Sequence, residues 1–227
     1  MPQPRILVTP SILSADLTRL QEEVASVEPY ADWLQIDVMD GHFVPNLSFG
    51  APLLKNLKTR LPLDIHLMVE NPEERIEEFA ALGAYNITFH AEAVPELNAQ
   101  QELLRTIHQK CKSAGIALNP DTSLEAIRGL LSSNSSHSSS SSYSPHPDLV
   151  LCMTVQPGFS GQKFRDDVLP KIQEVKRLAP KVMIQVDGGI DAASAKLCRE
   201  AGATNLVAAS FIFGSTDRKE AIAALRG

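Results

Sequence analysis

The chain has 227 residues, 44% of them hydrophobic, and a formal charge of −6. That content supports one sizeable core, and α/β barrels of this length are ordinarily single domains. With no basic block and no interleaving of aromatic and basic residues, nucleic acid is not an expected partner, and an anionic ligand would have to be caught locally. Cys111, Cys152 and Cys198 are odd in number, far apart and free of CxxC spacing, so reduced thiols in a cytoplasmic setting are expected. The first strand-like run leaves no room for a signal peptide, and no apolar run reaches membrane-spanning length, so no membrane association is expected.

In chain order, Ile6-Leu7-Val8 reads as a strand ending at Thr9-Pro10-Ser11, and Leu17, Leu20, Val24 and Val27 recur at helical spacing. From Trp33 to Val38 apolar and polar residues alternate as in a strand, before Asp40-Gly41 breaks it. A helix is predicted from about Pro52 to Leu61 and a strand over Leu63–Val69. Asn71-Pro72-Glu73-Glu74 then reads as a helix start, with Asn as cap and acids at the positive dipole end. Asn86–His90 is the fourth strand. A helix from about Leu97 to Ala114 is predicted to stop at Gly115, followed by a strand over Ile116–Leu118 and a helix over Ser123–Leu131. The remaining pairs are Asp148–Thr154 with Arg165–Leu178, Val182–Val186 with Asp191–Ala201, and Asn205–Ala208 with Asp217–Leu225. Eight strand–helix repeats with short connections predict a closed (β/α)8 barrel in one domain spanning 1–227. An open dinucleotide-binding sheet should show GxGxxG after its first strand, and none is present.

Ser132 to Ser144 is low in complexity, ten of thirteen residues being serine. Such a tract buries too little apolar surface to offset its ordering entropy, so a flexible insertion is expected at about 132–146. It falls between a helix and the next strand, which places it on the barrel face opposite an active site. His137 and His146 are expected to be solvated.

Catalytic groups in such a barrel come from the C-terminal ends of different strands. Those ends carry Ser11, Asp37 with Met39, His66 with Met68, His90, Asn119, Met153, Asp187-Gly188-Gly189 and Ala209-Ser210. A lone buried acid is often a paired structural group, and a lone histidine is often satisfied by a neighbour. Asp37, His66 and Asp187 on three strands can instead converge as acids and as ligands for a divalent metal. Asp64, His66 and Met68 share one parity, which points the series into the barrel mouth. An isolated Gly-Gly is a tight turn, but Gly188-Gly189 beside Ala209-Ser210 suits a phosphate. Gly158-Phe159-Ser160-Gly161-Gln162 suits a loop that closes over substrate. Met39, Met68 and Met153 suggest an adaptable apolar lining near reacting carbons.

These stretches resemble the ribulose-phosphate 3-epimerase family over nearly the whole chain. The resemblance is carried by Pro10–Asp16, Ile36–Asn46, His66-Leu67-Met68-Val69, Met153–Phe164 and Val186–Ile190. It implies a metal-dependent epimerase inverting C3 of D-ribulose 5-phosphate to give D-xylulose 5-phosphate, with Asp37 and Asp187 as the acid/base pair. It implies one divalent ion (Fe, Zn, Mn or Co) on Asp37, His66 and Asp187. The family's further ligand is a histidine two residues before the first acid, where this chain has Gln35, a neutral oxygen donor. Substrate contacts are implied for Ser11, His66, Met39, Met68, Met153, Gly158, Gly161, Gly188, Gly189, Ala209 and Ser210, with His42 and Asn119 as further candidates. The partners implied are a small phosphorylated ketose and further copies of the chain as a homo-oligomer. Smaller departures from the family are Gln156, Ser160 and Ala209. Two other readings are a ketohexose-phosphate 3-epimerase, such as one acting on allulose 6-phosphate, and a metal-free sugar-phosphate-binding protein. Orotidine-phosphate decarboxylase has a barrel of this type, but its Asp-x-Lys-x-x-Asp cluster is absent.

Overall fold

The computed structural model describes residues 5–131 and 143–227. Eight parallel strands form the barrel: β1 (Leu7–Pro10), β2 (Leu34–Met39), β3 (Leu63–Met68), β4 (Asn86–His90), β5 (Ser113–Leu118), β6 (Leu149–Met153), β7 (Met183–Asp187) and β8 (Asn205–Ala208). Each pairs in parallel with its neighbour from β2 round to β8, and β8 pairs with β1. A single bridge between Ser11 and Gln35 joins β1 to β2 and closes the ring. The outer layer holds α1 (Leu20–Val27), α2 (Ala51–Leu54), α3 (Ile76–Ala81), α4 (Leu97–Lys110), α5 (Arg128–Leu131), α6 (Leu169–Leu178), α7 (Ala192–Ala201), α8 (Ser210–Phe213) and α9 (Arg218–Arg226). Among the described residues no helix is long and apolar enough to cross a membrane.

The (β/α)8 expectation holds, with local corrections. The predicted helix over 52–61 is only the single turn α2, because the chain beyond it bonds to α1 instead. Gln21 pairs with the backbone N–H and C=O of Lys58, and Glu28 takes the Thr59 hydroxyl and the Arg60 N–H. Asn71 makes no side-chain cap; a 3-10 turn over Pro72–Glu74 precedes α3. The helix predicted to run to Ala114 ends at Lys110, and Gly115 lies inside β5. By contrast Asp191 caps α7 through a reciprocal box with Ser194, and Gly202 closes it at φ 114°. The turn α8 directly after β8 has no counterpart in the sequence reading, being too short for a helical period to show. Most of the expected serine-rich insertion, including His137, lies outside the described residues. His146 is half-buried rather than solvated, its Nδ1 lying 2.8 Å from the Leu130 carbonyl.

Two main hydrophobic regions hold the barrel, and a small third one, of Met39, Val44 and Met68, lies at its mouth. The larger one lies between strands and helices and includes Phe79, Phe89, Leu104, Ile172 and Leu206. The smaller one fills part of the barrel interior with Leu149, Leu151, Met153, Val155 and Ala117. The rest of that interior is polar, which is unusual where branched aliphatics ordinarily dominate. Asp64 lies at its centre and accepts from Gln185 Nε2 at 2.6 Å and from Asn86 Nδ2 at 2.7 Å. Ser113 donates to Asn86 Oδ1 at 2.7 Å, and Thr9 to Asn205 Oδ1 at 2.7 Å. Burial pushes the Asp64 carboxyl up to about 6, and the two amide donors moderate that rise. Met68 lines the mouth and His66 joins its acids, as their parity predicted, but Asp64 is taken up by Gln185 and Asn86 in the layer beneath.

Gly115 explains its own misreading. A Cβ there would lie 2.2 Å from Thr88 Oγ1 and 3.1 Å from Leu149 Cδ2, so the interior admits no side chain at this point. Gly115→Ala should therefore destabilise the fold by about 1–3 kcal/mol through overpacking. Urea denaturation checks this, and Thr88→Ala in the same chain should recover part of the loss.

Candidate active site

The C-terminal mouth of the barrel forms a cleft of about 290 Å³. Parallel register places Asp37 beside His66, Met39 beside Met68 and Met153 beside Asp187. Alternation then turns Asp37, His66 and Asp187 inward together, although 150 residues separate the two acids. Their ligand-capable atoms lie within 4.8 Å of one another, a grouping able to hold a metal ion.

Gln35 connects the acids. Its Nε2 donates to Asp37 Oδ1 at 2.9 Å and to Asp187 Oδ2 at 2.8 Å. Asp37 also accepts from the Ser11 hydroxyl and faces His66 Nδ1 at 2.9 Å. The acids therefore differ in surroundings: Asp37 meets three polar partners, whereas Asp187 keeps the Gln35 amide and lies 3.7 Å from His66 Nδ1. Burial, and after it the neighbouring charge of Asp37, pushes Asp187 up to about 7. For His66 burial opposes the charged form, but the hydrogen bond and charge of Asp37 outweigh it and raise the imidazole.

The residues present fit a divalent cation. One imidazole nitrogen and two carboxylates already converge, and the Gln35 Oε1 atom is buried with no hydrogen-bond partner. A cation among the carboxylates would favour that oxygen in place of the amide NH2, and a turn about the last side-chain torsion exchanges the two. The donor set would then be one nitrogen and three oxygens, harder than a set with two imidazoles.

Ser11, Met39, Met68, Met153, Gly158, Gly161, Gly188, Gly189, Ala209 and Ser210 all line the cleft with the two acids. His66 and Gln35 lie beneath its floor, buried behind Asp37. His42 and Asn119 are not part of the lining. His42 turns its Nδ1 to the Asp40 carbonyl, and the backbone N–H of Asn119 donates to Glu92. The loop 157–162 forms one wall, tied by Asn46 Nδ2 to the Gly158 carbonyl and by Gln162 to the carbonyls of Gln156 and Phe159. Phe159 stands 54% exposed at its rim.

Gly188 and Gly189 adopt φ of 119° and 64°. A Cβ on them would lie 2.4 Å from Val155 Cγ2 and 2.5 Å from the Phe164 nitrogen, respectively. Their first role is thus to seat the β6–α6 loop against the end of β7. The sequence reading offered a tight turn or approach to a phosphate, and neither includes this packing role. It also missed Glu92, two residues past β4. His90 Nδ1 faces Glu92 Oε2 at 3.2 Å, and the other face of His90 meets His66. Burial works to raise the Glu92 carboxyl, but His90, then the Thr122 side chain and the Asn119 N–H, hold it down at about 2. No motif flags a single glutamate; only its position relative to His90 could have.

The barrel alone places the chain among a broad class of (β/α)8 proteins. It superposes on a 3-hexulose-6-phosphate synthase from Salmonella typhimurium with a TM-score of 0.68 at 17% identity, covering 97% of each chain. At that identity the likeness shows the fold only. The family model described as "Ribulose-phosphate 3 epimerase family" matches residues 7–213. A ribulose-phosphate 3-epimerase of Bacillus subtilis (strain 168) is 45% identical over 230 residues, covering 98% of this chain and 99% of its own. The cytoplasmic isoform from Oryza sativa subsp. japonica is 40% identical over 222 residues, covering 96% and 92%. The chain belongs to the ribulose-phosphate 3-epimerase family, enzymes that isomerise carbohydrates.

The raised Asp187 carboxyl gives a test in the metal-free protein. A carboxylate ordinarily titrates near 4, so a folded value of about 7 means that the native state binds the extra proton. The stabilisation is complete below about pH 4 and is lost as pH rises through about 7. Asp187→Asn keeps an acceptor for Gln35 without the buried charge. The variant should therefore gain stability relative to wild type on going from pH 5 to pH 8, read by urea unfolding after chelation.

Proposed function

We propose that this chain inverts C3 of D-ribulose 5-phosphate to give D-xylulose 5-phosphate, with Asp37 and Asp187 as the two proton carriers. The observation that supports it best is the pair of inward-facing carboxylates linked through one amide, set in unlike surroundings. The C3 proton of a 2-ketose is acidified by the adjacent carbonyl. One carboxylate removes it from one face, giving an enediolate, and the other returns a proton from the opposite face. Their unlike surroundings suit one carboxylate to deliver a proton while the other removes one. Reversal of direction exchanges the two roles.

The divalent ion that Asp37, His66, Asp187 and Gln35 Oε1 would hold supplies positive charge against which the enediolate oxygens are stabilised. Iron, zinc, manganese or cobalt suits this donor set. Ser11 steadies the Asp37 carboxylate from beneath. Met39, Met68 and Met153 would bound the reacting carbons with apolar, polarisable surface. Gly188, Gly189, Ala209 and Ser210, gathered at one end of the cleft, would receive the phosphate. The wall 157–162 would shield the enediolate from water. A cytoplasmic homo-oligomer accompanies this reading: the three cysteines form no disulfide, and Leu47, 71% exposed, offers apolar surface to a further copy.

Turnover of D-ribulose 5-phosphate should be lost on chelation and return with one of the four ions. Asp37→Asn and Asp187→Asn should each lower kcat by about 10²–10⁴-fold. A chain that binds the sugar phosphate without exchanging its C3 proton under any ion would overturn the proposal. Gln35→His should tighten zinc binding, measured by competition with a chromophoric chelator, because it adds an imidazole to the donor set.

A further inference from the structure

His66 has two ring nitrogens, and they face different surroundings. Nδ1 points at the acids, 2.9 Å from Asp37 Oδ1 and 3.7 Å from Asp187 Oδ2. Nε2 points away from them and meets His90 Nε2 at 2.8 Å, the two rings inclined by 23°. His90 is fully buried at the end of β4, with the Phe43 ring against it at 4.8 Å between centroids. Its Nδ1 faces Glu92 Oε2 at 3.2 Å, while Glu92 Oε1 accepts the Asn119 N–H at 2.7 Å. A continuous row therefore runs from the acids through His66 and His90 to Glu92, anchored on the backbone that follows β5.

Hydrogen-bond bookkeeping fixes the direction of this row. An ionised carboxylate only accepts, so His90 Nδ1 carries hydrogen toward Glu92. His90 Nε2 is then a lone pair and needs a donor, which His66 Nε2–H supplies. In the metal-free site His66 Nδ1 directs a hydrogen at Asp37 Oδ1; a cation among the acids takes the place of that hydrogen, and with Nε2–H kept on His90 the Nδ1 atom offers it a lone pair. Without the Glu92 acceptor nothing favours this direction over the reverse. In the reverse arrangement His90 Nε2–H donates to His66, and His66 Nδ1–H donates to Asp37. The nitrogen facing the acids then has no lone pair to offer.

We propose that His90 and Glu92 are positioning residues that fix the tautomer and ring orientation of His66, so that Nδ1 is its metal-binding atom. The inference rests on the reading of Asp37, His66 and Asp187 as a metal centre. Outer partners of metal-bound histidines commonly tune affinity by 10–100-fold. The sequence offered no sign of this because Glu92 lies beyond the strand end and outside the cleft lining.

The test is Zn2+ affinity of the chelated full chain, read by competition with a chromophoric chelator. His90→Leu and Glu92→Met remove the acceptors and should weaken binding by about 10–100-fold. His90→Gln, whose amide oxygen can accept from His66 Nε2–H, should stay within about threefold of wild type by the same scale. Histidine 15N spectra of the Zn2+-loaded wild type should show His66 protonated at Nε2 and His90 protonated at Nδ1. This second readout decides the matter even if a variant fails to fold. His90 protonated at Nε2 in that spectrum overturns the proposal, as do folded variants that all bind as tightly as wild type. A wild type that takes up no Zn2+ overturns the metal reading of the site and this proposal with it. Zn2+ uptake with the expected losses, but no epimerase activity, leaves the row intact and removes the proposed function instead.

Discussion

Two neighbouring carboxylates at one barrel mouth, Asp37 buried and Asp187 half-buried, are an electrostatic problem before they are a catalytic device. Like charges at this range repel strongly in a low-dielectric interior, and burial adds a desolvation cost for each. Gln35 answers part of this by placing one amide nitrogen between Asp37 and Asp187. The remainder appears as the raised carboxyl of Asp187. The bridge of Ser11 to Gln35 that closes the barrel also brings the Ser11 hydroxyl to Asp37. Closing the fold and assembling the site are thus one event.

The polar interior beneath the mouth extends this logic. Asp64, Asn86, Ser113 and Gln185 form a hydrogen-bonded layer where aliphatic side chains would pack more simply. A satisfied polar network is rigid because each member has few other partners at comparable energy. That rigidity supports the layer above it, which carries His66, His90 and Asp187 on the same strands β3, β4 and β7. Gly115, with no room for a Cβ, is the point where this layer packs most tightly.

Glycines around the cleft belong to the same economy of space. Gly188 and Gly189 press the end of β7 against Val155 and Phe164, so the β6–α6 wall is seated by packing. The wall's polar ties, from Asn46 and Gln162, run between side-chain amides and backbone carbonyls.

The sequence by itself determined the alternation of strands and helices, the closed barrel and the acids, histidine and methionines at its strand ends. Each of these follows from local periodicity or from a residue type at a strand terminus. Gln35 stood out as a replaced imidazole only through the family resemblance. Tertiary structure decided what depends on contacts across the ring: that Gln35 bridges the acids, that burial and the neighbouring acid raise the Asp187 carboxyl, and that Glu92 reaches His66 through His90. It also decided the failures of local reading. Gly115 looked like a helix stop because its exclusion of a side chain comes from Thr88, on the neighbouring strand, and the helix predicted over 52–61 gave way to bonds with α1. Periodicity reports what a residue needs from its own element; these sites are set by what distant elements leave room for.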